Sequence, residues 1–284
     1  NSSAITASTE SGATKPGGNL NITTPTLNLS HGAVVTARSR NDFSGGNVTL
    51  NVDTLNLTSG SQILTSSFSQ GNAGTITINS DGAITLSGSD VNFDDRVAQF
   101  GAENIDTDGP QTAIASRARG NGDAGSVTVN TPKLRVEDQG IITVSSSGSG
   151  VAGSLNINAP SIQLNNGTLS AETAAGDQGN ITIKANQINL ENNSAITINA
   201  QSWGSRNLTT VIEKHPFCTN INITTLTFLC ISSDITIVTV GSSGSGVAGS
   251  LNINAPSIQL NNGTLSAETA SGDEGNITIK ASEI

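Results

Sequence analysis

Residues 153–171 read GSLNINAPSIQLNNGTLSA, and the spacing of their aliphatic side chains decides the fold. Leu155 and Ile157 alternate with Asn, and a second pair of aliphatic residues alternates with Gln after Pro160. Side chains two residues apart share one face of a β-strand, so each pair predicts a short strand with an apolar and a polar face. Proline cannot donate to a strand ladder and suits the corner between them. Leu169 predicts a third short strand after the Asn-Asn-Gly turn.

The same pattern recurs along the chain, mostly with a period of 26–30 residues. Aliphatic residues typically return at offsets +2, +4, +9 and +11 from a start residue, and a fifth follows five or six residues later. In the Gly74 repeat the second pair slips by one residue, to Ile84 and Leu86. Longer gaps after the third and sixth starts indicate a repeat plus an insertion. The start residues are Gly18, Gly46, Gly74, Gly125, Gly153, Gly179, Thr219, Gly249 and Gly275.

A unit of three short strands with one apolar face cannot bury that face alone, but stacked copies bury it against each other. The sequence therefore predicts an all-β fold, a right-handed parallel β-helix of about nine rungs with three short strands each. An antiparallel sandwich is the competing fold, and it would need hairpin turns without a long period. We expect residues 1–284 to be one continuous β-helix fragment, uncapped at both ends.

Residues 143–188 and 239–284 match at 41 of 46 positions. The five differences involve small or polar residues, and none falls on an inward aliphatic position. Such identity indicates recent duplication of a block of several rungs, which lengthens a shaft but rarely benefits an active site.

The first insertion, about residues 87–110, carries six acidic residues and one basic residue. Asn104, Asp106 and Asp108 have the oxygen spacing that opens a calcium loop. Position twelve of that loop would be Ala115, which cannot ligate, so the motif is incomplete. A solvated acidic loop is the alternative to calcium, and no other cofactor is predicted.

The second insertion, about residues 202–218, contains Trp203 and Cys218. We interpret it as a non-catalytic loop, with a degenerate stretch of repeat as the alternative. Cys230 falls on a core position of the next repeat, where a free thiol packs as a small hydrophobe. A Cys218–Cys230 disulfide is left open.

Composition excludes several classes of function. The 284 residues carry 12 Lys and Arg against 22 Asp and Glu, a net charge of −10, which argues against nucleic-acid binding. No apolar run is long enough to span a bilayer as a helix, so membrane insertion is not predicted. Without a nucleophile, phosphate-binding or zinc motif, the sequence predicts no enzyme and no catalytic residues.

Four arginines share equivalent repeat positions two rungs apart: Arg38 with Arg117, and Arg40 with Arg119. They predict a small basic spot about 10 Å long on one face. We favour solvated surface over a functional patch for it.

The repeat, with its Gly-Asn-Ile-Thr-Ile start at Gly179 and the segment 161–171, resembles the shaft of filamentous haemagglutinin-type, haemagglutination-activity repeat exoproteins of the two-partner secretion family. The resemblance covers nearly all of the chain except the two insertions. It implies a β-helix exported by an outer-membrane transporter, located outside the cell or on the bacterial surface. It further implies a role in adhesion, aggregation or biofilm, with glycans or proteins of host or neighbouring cells as partners.

The leading hypothesis is thus a structural and adhesive shaft of a large secreted adhesin. One alternative is a carbohydrate-active β-helix enzyme, a polysaccharide lyase or hydrolase, whose site would lie where the acidic insertion meets Arg117 and Arg119. Another is a self-associating surface-layer component.

Overall fold

In the computed structural model of the chain, the described residues are 3–100, 109–174, 179–200, 212–213, 235–242, 249–269 and 276–282. Nearly all regular structure in them is β, with one short helix. The elements are β1 (Ala4–Thr6), β2 (Leu20–Leu29), β3 (Val34–Ser39), β4 (Val48–Thr58), β5 (Gln62–Ser67), β6 (Ile76–Ser80), β7 (Ala83–Ser87), α1 (Phe93–Phe100), β8 (Ala113–Ala118), β9 (Val127–Asn130), β10 (Lys133–Glu137), β11 (Ile141–Ser146), β12 (Ser154–Asn158), β13 (Ser161–Asn165), β14 (Thr168–Thr173), β15 (Asn180–Lys184), β16 (Gln187–Glu191), β17 (Ala195–Ala200), β18 (Ile212–Glu213), β19 (Ile235–Ser242), β20 (Ser250–Asn254), β21 (Ser257–Asn261), β22 (Thr264–Thr269) and β23 (Asn276–Lys280).

The strands form a 13-stranded and a 10-stranded sheet in which strands pair with their equivalents in neighbouring rungs. Strand β19 departs from the chain order, because β22 pairs with β17 on one side and with β19 on the other. All pairings between named strands are parallel in the described residues, apart from the antiparallel pair β18–β19. This arrangement is a β-solenoid of about seven turns and confirms the predicted parallel β-helix. In the first two rungs a single strand, β2 or β4, runs through both the first and second strand positions, while later rungs break at the corner.

Aliphatic side chains lie in continuous columns along the axis. Leu20 pairs in register with Val48, Val48 with Ile76, and Ile76 with Val127. The same column continues through Leu155 to later rungs. Its members from Val48 to Leu251 are fully buried, and a buried Leu or Ile side chain contributes about 1.5–3 kcal/mol. The third strands add another column: Val35, Ile63, Ile114, Ile142, Leu169, Ile196 and Leu265.

Most rungs begin with glycine because the backbones of neighbouring rungs approach each other most closely at that position. A Cβ built on Gly74 would lie against the carbonyl oxygen of Gly46, far inside van der Waals contact. Gly125 meets Gly74 in the same way, and Gly179 meets Gly153. A side chain at these positions would push the rungs apart.

The predicted rung that starts at Thr219 is not present between its neighbours. Strand β15 of the Gly179 rung pairs directly with β20 of the Gly249 rung, with Ile181 opposite Leu251. The other two strands of these rungs pair directly as well. Thr219 itself lies outside the described residues.

The first insertion lies between the second and third strands of the third rung and contains helix α1, which the sequence did not predict. The Asp90 carboxylate accepts a hydrogen bond from the backbone N–H of Asn92 at 3.0 Å, just before the helix. Asp94 and Asp95 lie in the first turn, where the helix dipole favours negative charge. In the described part of the chain no helix is long and apolar enough to cross a membrane.

We expect Gly125→Ala to lower the free energy of unfolding by about 1–3 kcal/mol, because the added methyl group overpacks the corner against Gly74. Gly18→Ala is the matched control, since its Cβ would meet only the Ala7 Cβ at 3.7 Å and should change stability by less than about 0.5 kcal/mol. Urea denaturation followed by circular dichroism measures both. Equal effects of the two substitutions would contradict the corner explanation.

Candidate functional site

The outer surface of the 10-stranded sheet, here called the third-strand face, differs from the rest of the exterior. Both faces of β3 and β5 are buried, whereas first and second strands alternate between buried and more exposed residues. Val34, Leu64 and Ala115 point outward and form a second small apolar cluster, separate from the core. Part of this face is therefore covered, unlike an ordinary solenoid surface.

The end of the first insertion packs onto the third-strand face. Gln62 donates through Nε2 to the carbonyl oxygens of Gly109 at 3.0 Å and Gln111 at 2.8 Å. The Thr112 hydroxyl accepts from the N–H of Gly60 at 2.9 Å and donates to the carbonyl oxygen of Ser87 at 2.9 Å. These bonds hold the segment after α1 against the second rung.

A partly buried ion pair anchors the other end of the insertion. The Arg96 guanidinium contacts the Asp90 carboxylate, with side-chain exposures of 17% and 8%. Asp90 lies against Gly60 and Arg96 against Gly32, two corner glycines with φ of 76° and 69°. A side chain at either glycine would collide with the insertion, so the two corners are shaped to receive it.

The four arginines predicted to share repeat positions do lie on this face. Arg38 is in register with Ser66, and Ser66 with Arg117, so the two arginines are separated by two rungs, about 10 Å. The backbone N–H of Phe68 donates to the carbonyl oxygen of Ser39, and the N–H of Arg119 donates to the carbonyl oxygen of Ser67. These bonds between neighbouring rungs place Phe68 in one column with Arg40 and Arg119. The predicted basic spot is confirmed as a geometric cluster.

Phe68 is the centre of that cluster. The guanidinium carbons of Arg40, Arg119 and Arg38 lie 5.0, 5.3 and 5.9 Å from its ring centroid, within cation–π range. The aromatic ring lets three like charges gather, because its negative faces offset part of their repulsion. Arg40 also faces the Glu10 carboxylate at 3.4 Å.

The interpretation of these arginines as solvated surface is wrong for Arg38, which is only 5% exposed. Arg40 and Arg117 are half-buried, and Arg119 is exposed. The tight third-strand face and the Phe68 ring cover the inner members and leave the outer ones accessible.

A shallow groove of about 380 Å³ continues from the arginines over the third to fifth rungs. Hydroxyl side chains dominate its floor, and Ser170 and Thr143 are joined by a 2.8 Å hydrogen bond. Its residues are Arg117, Ala118, Arg119, Ile141, Thr143, Ser145, Ser147, Thr168, Ser170 and Glu172. The groove thus offers guanidinium donors at one end, a carboxylate at the other, and hydroxyl groups between them.

The first-strand and second-strand faces carry asparagine ladders instead. The Asn79 amide donates to Asn51 at 2.9 Å, and Asn130 donates to Asn79 at 2.9 Å. Asn56 donates to Asn28 in the same manner at 2.8 Å. These amides bond mainly along the axis, which stiffens the stack.

Several predicted sites fall on residues outside the described ranges. The proposed calcium ligands Asn104, Asp106 and Asp108 do so, as do Trp203, Cys218 and Cys230. Within the described ranges, no group of three or more His, Cys, Asp or Glu residues could hold a metal ion. Asp94 and Asp95 of the acidic insertion are exposed on α1.

Comparison with known proteins found no matching family model, no matching curated protein and no matching solved structure. The resemblance to filamentous haemagglutinin-type exoproteins therefore stays a prediction from the repeat pattern.

Sequence reasoning found the arginines but missed Phe68 and the groove. One available signal was Phe68 itself, the only aromatic of the second rung, which directly follows the last residue of β5. Its significance depends on the stacking of Arg40 and Arg119 on either side, which requires the exact register.

We expect Arg96→Met to loosen the insertion while the stack stays folded, because it leaves the buried Asp90 carboxylate without its cationic partner, at a cost of about 3 kcal/mol. Hydrogen exchange should accelerate at Gly60 and Thr112. Asp94→Asn, which changes an exposed helix residue, is the control. Unchanged protection in Arg96→Met would contradict the anchoring role.

Proposed function

We propose that this chain is a structural and adhesive shaft of a large secreted adhesin, located outside the cell or on the bacterial surface. Its partners in this proposal are glycans or proteins of host or neighbouring cells, with an outer-membrane transporter during export. The observation that carries the proposal is the regular stack itself, in which equivalent strands pair rung after rung.

The stack supports a spacer role because its length scales with the number of copies. Seven rungs at about 4.8 Å span roughly 34 Å, and duplication of a block adds length without a new core design. The copied block retains every inward aliphatic residue. Its register is retained too, since β20 and β21 pair with the same offsets as β12 and β13.

Adhesion is supported by the third-strand face, which combines a groove with arginines and hydroxyl groups. The enzyme alternative is less well supported there, since glycoside hydrolases use two carboxylates across the scissile bond. Among the described residues that line the groove, Glu172 is the one carboxylate. A surface-layer role would use the same ladders for self-association.

Beads coated with the purified chain should bind to epithelial or bacterial cells more strongly than albumin-coated beads, because the shaft presents its faces along its whole length. Flow-chamber counting of retained beads measures this. Equal retention of the two bead types would contradict the adhesive role. Release of unsaturated or reducing sugars from polyuronates would instead favour the enzyme.

A further inference from the structure

We propose that the third-strand face binds an acidic polysaccharide, with Arg117 and Arg119 as the anion contacts and the adjoining groove as the seat of the sugar chain. This inference deepens the proposed function, since it names the ligand class of the adhesive surface.

The distribution of charge points to an anionic ligand. The chain has 22 acidic and 12 basic residues, yet four of its arginines lie on two adjacent columns of three successive rungs. Arginine presents a planar fork of donors that matches carboxylate and sulfate oxygens. A local positive surface on an acidic protein concentrates anions at that one place.

Phe68 prearranges Arg119, one of the two proposed anion contacts, together with Arg38 and Arg40. Its ring centroid is within 6 Å of three guanidinium groups. Backbone hydrogen bonds between the rungs fix the positions of Phe68 and Arg119 relative to each other. A free arginine side chain loses about 1.5–2 kcal/mol of conformational entropy when it is immobilised. Holding the side chains in place before binding lowers that cost for the complex.

Carboxylates at both ends of the region direct an anion to a particular part of the face. At the first-rung end of the cluster, Glu10 faces Arg40 at 3.4 Å, and Asp42 accepts a hydrogen bond from the Ser69 hydroxyl beside Phe68. Glu172 lies at the far end of the groove, two rungs beyond Arg117. The acidic group of a ligand is therefore favoured between them, at Arg117 and Arg119.

The groove fits a chain of sugars better than a small anion. It spans three successive rungs, about 10 Å along the solenoid axis, and positions 141 to 147 of the strand direction, about 20 Å. Ser145, Ser147 and Thr168 can each donate and accept hydrogen bonds, as sugar hydroxyls require. An isolated phosphate or sulfate would use only the arginine end.

A single-stranded nucleic acid is less well matched, although it is also a polyanion. Proteins that bind one without sequence preference stack its bases on aromatic side chains. The residues that line this groove include no aromatic, and the ring of Phe68 already faces three guanidinium groups. The overall negative charge of the chain also opposes a densely charged phosphate backbone.

The test compares two double variants of the full chain that change its net charge equally. Arg117→Gln/Arg119→Gln removes the anion contacts, and Lys184→Gln/Lys280→Gln removes two exposed lysines of the first-strand face. Isothermal titration with polygalacturonate, dextran sulfate and neutral dextran should show binding of the acidic polymers only. The arginine variant should bind at least roughly tenfold more weakly, and the lysine variant should match the unaltered chain.

Ser145→Glu provides a second variant that keeps all four arginines and Phe68 but places a carboxylate in the groove beside Arg117, the register partner of Ser145. It should weaken binding as well, while circular dichroism stays unchanged. Equal affinity of all variants, or stronger binding of single-stranded DNA than of polygalacturonate, would overturn the proposal.

The same variants separate this inference from the general adhesive role. If beads coated with Arg117→Gln/Arg119→Gln still adhere to cells while polysaccharide binding is lost, the ligand of the adhesion lies elsewhere on the shaft. If the unaltered chain binds polygalacturonate but no bead adheres, the site stands and the adhesive function fails.

Discussion

Axial stacking of each rung on the one before it is the constraint on which the rest of the structure depends. Parallel pairing at about 4.8 Å brings equivalent residues of successive rungs into contact, so every column must hold side chains of similar volume. The aliphatic columns meet this demand inside, and the asparagine ladders meet it outside. At the corners the approach is so close that only glycine fits, as at Gly74 and Gly125.

A surface made by repetition is uniform, and specific recognition needs a departure from it. The third-strand face departs in two ways. An insertion with a short helix packs onto its early rungs, and an aromatic residue gathers arginines that would otherwise lie apart. The paired strands of the solenoid hold the insertion and the Phe68 cluster in fixed positions, and the same strands form the groove beside them.

The inward columns could be predicted from the sequence because aliphatic residues two positions apart indicate a β-strand, and a repeat of about 28 residues indicates stacked rungs. The one-residue slip at Ile84 was predicted for the same reason, and Ile84 pairs with Leu55 and Leu134. The direct pairing of the Gly179 and Gly249 rungs was not predicted, since the aliphatic pattern continues through the Thr219 repeat between them. The covered outer face was missed because outward positions such as Leu64 depend on how an insertion packs, which local periodicity does not encode.

Distances between spin labels on outward positions of the first strands test the stack most directly. Thr49, Thr182 and Asn252 lie in one column, with four rung-to-rung steps from Thr49 to Thr182 and one more step to Asn252. After replacement of the two native cysteines by serine, labels at Thr49 and Thr182 should lie about 19 Å apart, and labels at Thr49 and Asn252 about 24 Å apart. A second distance near 29 Å would mean that another rung intervenes, and distances that do not grow with rung number would contradict the solenoid altogether.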